Sequence, residues 1–126
     1  MRLLLDSHIL LWWFAGSKRL GNNALRLITA RDTDLVVSAA SWWELAIKKS
    51  LKRLDVDWAA AREILQKNGI GTLPVTFDHA DRAAILPNYH HDPFDRMLVA
   101  QAMSEGMKLL TRDKKLRQYG DVVLYV

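Results

Sequence analysis

The chain has 126 residues, half of them hydrophobic and a quarter charged, which suits one soluble domain able to bury a single core. It contains no cysteine, so disulfides, zinc–thiolate sites and thiol nucleophiles are excluded together. The formal net charge of +4 is compatible with an anionic partner such as nucleic acid without demanding one. Met1-Arg2-Leu3-Leu4-Leu5-Asp6 meets an acid too early for a signal-peptide core, and no apolar run approaches the roughly 18–20 residues that span a bilayer. The expectation is a cytoplasmic protein with no membrane partner.

No repeat or linker interrupts the chain, so residues 1–126 are read as one domain. Met1–Leu5 is a short apolar run that predicts a buried strand. Ser7 to Ala15 has helical spacing, with Ser7 as the candidate cap, and Asn22 to Ala30 repeats the pattern. Leu35-Val36-Val37-Ser38 predicts a second buried strand. Ser41 is expected to open a helix through Leu51, with Glu44 completing a capping box. Asp57 to Lys67 predicts another helix, stopped by Asn68-Gly69.

Leu73-Pro74-Val75 suits an edge strand or a strand end. Asp78 is expected to cap a short helix to Ile85. Pro93 stands at the first turn of a helix over Phe94–Glu105, which Gly106 terminates. Lys108–Thr111 and Val122–Val126 predict the last two strands, with a short helix over Asp113–Gln118 between them. Short apolar strands alternating with helices predict an α/β fold, a three-layer α/β/α sandwich around a five-stranded, mainly parallel sheet.

In open α/β sheets, sites form beyond the carboxyl ends of the strands. Asp6 follows the first strand and Asp113 the fourth, while Glu44 lies in the helix after the second strand. Asp95 begins the helix before the fourth strand, and reaching the same rim is expected to require that the loop His90-His91-Asp92-Pro93 fold back. Carboxylates with no histidine at ligand spacing describe a hard-oxygen site for magnesium or manganese, and phosphodiester cleavage is the chemistry that wants one. Each acid also has a structural use. Asp6 and Asp113 can cap helices, Glu44 can serve Ser41 or pair with Lys48, and Asp95 can complement its helix dipole.

Four segments then fall into a familiar order: Leu3-Leu4-Leu5-Asp6-Ser7-His8; Val37-Ser38-Ala39-Ala40-Ser41 leading into Trp43-Glu44-Leu45-Ala46-Ile47-Lys48; His91-Asp92-Pro93-Phe94-Asp95-Arg96-Met97-Leu98-Val99-Ala100-Gln101-Ala102; and Leu110-Thr111-Arg112-Asp113. Over nearly its whole length the chain resembles PIN-domain ribonucleases, specifically the VapC-type toxins of bacterial and archaeal toxin–antitoxin pairs. The resemblance implies a PIN-like sheet, a homodimer, endoribonuclease activity with Mg2+ or Mn2+, and an antitoxin protein as partner beside the RNA substrate. Carried onto this sequence, it implies that Asp6, Glu44 and Asp95 bind metal, with Asp113 as a fourth and more variable acid. Ser7 stands where threonine is more usual.

Supporting roles are expected of Ser7 and Thr111, positioning water, and of Asp92, fixing its loop. Lys48, Arg112 and Lys114 are candidates for a basic rim that meets RNA phosphates. His8, His90 and His91 are read as surface or hydrogen-bonded histidines. Trp12-Trp13 and Trp42-Trp43 are each expected to turn one ring inward and one outward, the outward rings anchoring a protein interface. The alternative function is a catalytically idle RNA- or protein-binding domain on the same fold. A phosphorylatable receiver domain fits poorly, because the first strand ends in a single acid.

Overall fold

A computed structural model describes all residues, Met1–Val126. The strands are β1 (Arg2–Leu5), β2 (Asp34–Ser38), β3 (Gly71–Leu73), β4 (Lys108–Thr111) and β5 (Val123–Tyr125). The helices are α1 (Ser7–Phe14), α2 (Asn22–Thr29), α3 (Ala39–Ser50), α4 (Trp58–Lys67), α5 (Phe77–Ile85) and α6 (Pro93–Glu105), with 3-10 turns over Lys18–Leu20 and Lys114–Tyr119. All pairings are parallel, in the order β3-β2-β1-β4-β5. No helix is long and apolar enough to cross a membrane.

The pleat divides the strand side chains between two cores. Leu3, Leu5, Val37 and Leu110 face α1 to α4, meeting Ile9, Leu10, Ala24, Leu45 and Leu65. Leu4, Val36 and Leu109 face the opposite way, onto Leu98, Val99 and Ala102 of α6 and Leu116. Because both faces are covered, β1 and β4 read as continuous apolar runs rather than alternating ones. The expected α/β/α sandwich is what forms.

Four local expectations are corrected. The helix expected from Ser41 starts at Ala39, because Ser38, the last residue of β2, already accepts from Ala40 N–H at 3.0 Å. Ser41 is buried in the first turn, its hydroxyl without a partner. The third strand is Gly71–Leu73 rather than Leu73–Val75, since it pairs through Gly71, Thr72 and Leu73 and Pro74 has no N–H to continue. The cap of α5 is Thr76, not Asp78, in a reciprocal box: Thr76 Oγ1 accepts from His79 N–H, and His79 Nδ1 accepts from Thr76 N–H. A histidine thus fills a place usually held by Glu or Gln. The last helix is a 3-10 turn.

Strand order creates the functional feature. The chain winds from β1 through β2 to β3 on one side, then returns to place β4 on the other flank of β1. The carboxyl ends of β1 and β4 therefore border a topological switch point, where open α/β sheets form their crevice.

Candidate metal centre

Asp6 leaves the end of β1 at this crevice and is only 3% exposed. Its Oδ1 accepts from His8 N–H at 2.7 Å, so Asp6, rather than Ser7, caps α1. Its Oδ2 accepts from Thr111 Oγ1 at 2.6 Å. Burial pushes its carboxyl above the ordinary carboxylate value, against the two hydrogen bonds and nearby His8, while Glu44 adds to the rise.

Glu44, 8% exposed, projects from the second turn of α3. Ser7 Oγ donates to its Oε1 at 2.8 Å, and Lys48 Nζ lies 3.1 Å from Oε2, one helical turn on. It has no capping role. Lys48, expected on an RNA-binding rim, is thus engaged with an acid of the centre. Ser7 and Thr111 each spend their single hydroxyl proton on a carboxylate, so they orient acids rather than hold water as donors.

Asp95 reaches the rim without the expected fold-back. A helix feeding a parallel strand through a tight turn runs antiparallel to it, which puts the start of α6 at the carboxyl ends of the strands. Gly106 makes that turn in the left-handed conformation, at φ 66°. Asp92 caps α6 by accepting from Phe94 N–H at 2.8 Å and Asp95 N–H at 3.2 Å. Burial, and then the charges of Asp6, Asp92, Glu44 and Asp113, push the Asp95 carboxyl up to about 8.

Asp113 completes the cluster from the loop after β4. Its Oδ1 accepts from Lys115 N–H at 3.0 Å, and its backbone N–H donates to Thr111 Oγ1 at 3.1 Å. His90 Nε2 is 2.8 Å from Asp113 Oδ2 and 3.3 Å from Asp95 Oδ2. His90 is thus the hydrogen-bonded histidine expected, but it stands against two of the acids, which its place in the sequence did not suggest. Potential ligand atoms of His90, Asp95 and Asp113 lie within 4.8 Å of one another. A hint was present in sequence, since a histidine two residues before a helix cap can accept from the cap's own N–H.

Arg112 points away from this cluster. Its Nη2 donates to Leu20 O at 2.8 Å and its guanidinium carbon lies 5.7 Å from the Trp12 ring centre. Lys114 is exposed. His8 and His91 are exposed. Trp42 turns inward onto Trp58, 4.2 Å between ring centres, while Trp43 is 62% exposed and packs T-shaped with Phe94. Trp12 and Trp13 do not divide this way, for both are half-buried.

Four acids from four separate segments thus converge, with Lys48 the one lysine or arginine paired to any of them, His90 against Asp95 and Asp113, and His8 Nδ1 at 3.8 Å from Asp6 Oδ1. Four partly buried carboxylates whose like charges repel one another fit a divalent cation that would offset them. Residues 3–122 match the sequence family described as PIN domain. The chain belongs to the PIN-domain family. It is 34% identical over 119 residues to Ribonuclease VapC22 of Mycobacterium tuberculosis (strain ATCC 25618 / H37Rv), covering 93% of this chain and 91% of that protein. A similar fold is seen in a toxin–antitoxin complex from Klebsiella pneumoniae, with a TM-score of 0.70 and 20% identity over 97% of this chain and 95% of the other. VapBC2 from Rickettsia felis, solved bound to a DNA fragment from their promoter, gives 0.66 and 14% over 100% and 98%. At these identities the solved structures bear on the fold alone.

Proposed function

We propose that this PIN-domain protein is an Mg2+- or Mn2+-dependent endoribonuclease, the toxin of a toxin–antitoxin pair, acting in the cytoplasm. The observation that carries the reading is the convergence of Asp6, Glu44 and Asp95, with Asp113 beside them, at the crevice between β1 and β4. The similarity to a VapC ribonuclease supports the substrate class.

Asp6, Glu44 and Asp95 would hold the cation, with Asp113 assisting. A divalent cation bound there supplies Lewis-acid stabilisation of a phosphoryl oxygen and of the leaving oxygen. Thr111 and Ser7 fix the carboxylates of Asp6 and Glu44 by direct hydrogen bonds. Lys48 offsets part of the cluster's charge, and exposed Lys114 meets the RNA backbone at its edge.

Homodimerisation and antitoxin binding belong to the same reading. Along α3 and its C-terminal cap, Trp43 and Leu51 are 62% and 59% exposed and lie two turns apart, flanking half-buried Ile47. Such a stripe supports an interface between two copies. The crowded acids offer an antitoxin a pocket for a basic side chain, which would silence the enzyme.

The test is cleavage of total RNA by purified protein with Mg2+ or Mn2+, then with EDTA, beside a separately purified Asp6→Asn variant. Discrete, metal-requiring fragments that disappear in the variant are expected. Absence of cleavage by a folded protein freed of antitoxin, or undiminished cleavage by Asp6→Asn, would overturn the assignment in favour of a binding domain.

A further inference from the structure

His90 is held from three sides. Asp92 N–H donates to its Nδ1 at 3.1 Å. Its own carbonyl accepts from Arg96 Nη1 at 3.3 Å. The end of α5 and the loop after it are clamped by the same guanidinium, which donates to Ala83 O at 2.8 Å, Leu86 O at 3.1 Å and Pro87 O at 3.1 Å. Tyr119 adds a hydroxyl bond to Pro87 O at 2.7 Å.

This scaffold fixes the ring's chemistry as well as its place. A neutral imidazole carries one N–H and one acceptor nitrogen. With Nδ1 accepting from a backbone N–H, the ring's own proton resides on Nε2. That N–H faces Asp113 Oδ2 at 2.8 Å, with Asp95 Oδ2 slightly farther at 3.3 Å. A nitrogen that donates a proton has no lone pair for a cation, so the proximity of His90, Asp95 and Asp113 does not make the histidine a ligand.

Asp113 is the acid that needs such support. Its side chain is 35% exposed, against 17% for Asp95, 10% for Glu44 and 4% for Asp6. It stands on a loop, and its Oδ1 is occupied in capping the following turn. Oδ2 is the oxygen turned toward Asp95, and His90 is the side chain that grips it.

We propose that His90 is a positioning residue, whose Nε2–H holds Asp113 Oδ2 toward Asp95 and which does not itself bind the cation. The role rests on the metal-dependent reading above. It gives Asp113 the hydrogen-bond donor that Thr111 and Ser7 give Asp6 and Glu44, and it explains why Arg96 and Tyr119 spend so many bonds on the segment that leads to His90.

The test is calorimetric titration of Mn2+ into the metal-free wild type and the variants His90→Ala, His90→Gln, Asp113→Asn and His90→Ala/Asp113→Asn, each checked for folding by circular dichroism. Loss of a partner that orients a metal ligand typically costs about 10–100-fold in affinity, which is the loss expected for His90→Ala. His90→Gln, whose amide N–H extends to the Nε2 position, should recover most of it. The double variant should bind no more weakly than Asp113→Asn alone, the sign that both act through one bond. Nitrogen-15 spectra of labelled histidine should show the proton on Nε2 both before and after saturation with Mg2+.

Wild-type affinity in His90→Ala, additive losses in the double variant, or deprotonation of Nε2 on Mg2+ binding would each overturn the positioning role while leaving the metal centre standing. A wild-type protein that takes up no Mn2+ would instead remove the metal reading itself, and this role with it.

Discussion

Thr111 Oγ1 and Asp6 Oδ2, 105 residues apart in sequence, meet at 2.6 Å across the carboxyl ends of β4 and β1. The threonine also accepts from Asp113 N–H, so one fully buried hydroxyl sets two of the four acids at once. Its acceptor role depends on its donor role. With the proton committed to Asp6, the lone pairs face the start of the Asp113 loop.

Replacing Thr111 by Val keeps the shape and removes both bonds. A hydrogen bond to a charged group contributes about 1.5–3 kcal/mol, and the orphaned Asp113 N–H adds to the loss. Urea unfolding of Thr111→Val should show a drop of that order, with metal-dependent RNA cleavage reduced at least tenfold. Thr111→Ser should retain most of both. Full activity in the valine variant would show that Asp6 is held well enough by its bond to His8 N–H.

The crowding of acids has a pH signature. The folded-state carboxyl of Asp95 is raised to about 8, from an ordinary value of 3.8. Between those values the folded chain binds more protons than the unfolded one, so stability falls as pH rises and the loss from this group is complete above pH 8. Asp6 shifts in the same direction. The melting temperature of metal-free protein in EDTA should therefore decline from pH 5 to pH 9 through these groups. Saturating Mg2+ should flatten the decline, because a cation stabilises the ionised forms. A metal-free protein that gains stability over that interval would contradict the arrangement.

Asp95→Asn separates function from stability. Removing one of several opposed charges should stabilise the metal-free fold at pH 8.5, where the wild-type carboxyl is largely ionised. About 1 kcal/mol shifts the melting temperature of a domain of this size by roughly 3–6 °C. Cleavage should fall by more than the roughly 10–100-fold that loss of a merely supporting partner costs. Scanning calorimetry and cleavage assays on one preparation would check both signs, and a variant both less stable and fully active would contradict them.

Much of this was legible in the chain. Leu3-Leu4-Leu5 and Leu109-Leu110 announce strands covered on both faces, and Pro93 with Gly106 brackets α6. Asp6, Glu44, Asp95 and Asp113 stand out because strand ends and helix starts are local features. Strand order is not local. Nothing near Thr111 says that β4 lies against β1, so the donor to Asp6 could not be named. Ser38 and Ser41 are equally good caps on paper, and only the end of β2 decides between them. The part played by His90 depends on a loop clamped by Arg96 and Tyr119, which no spacing rule connects.

Arg112 illustrates the same limit and yields the last prediction. In sequence it sits beside Asp113 and Lys114 as if on a basic rim, yet its guanidinium is folded inward, beneath Gly21. Gly21 has φ 79° and ψ 159°, a region essentially restricted to glycine, and a Cβ there would lie 2.7 Å from Arg112 Nη2. Gly21→Ala should therefore lose about 1–3 kcal/mol in urea unfolding. Arg112→Lys should lose a comparable amount, since a lysine cannot reproduce the planar group that serves both Leu20 O and the Trp12 ring. Neither change should alter the slope of RNA affinity against salt concentration, whereas Lys114→Ala, at an exposed position, should reduce that slope by about one contact. If Arg112→Lys instead weakens RNA binding at unchanged stability, the guanidinium leaves Leu20 to meet the substrate, and Gly21 is small to let it move.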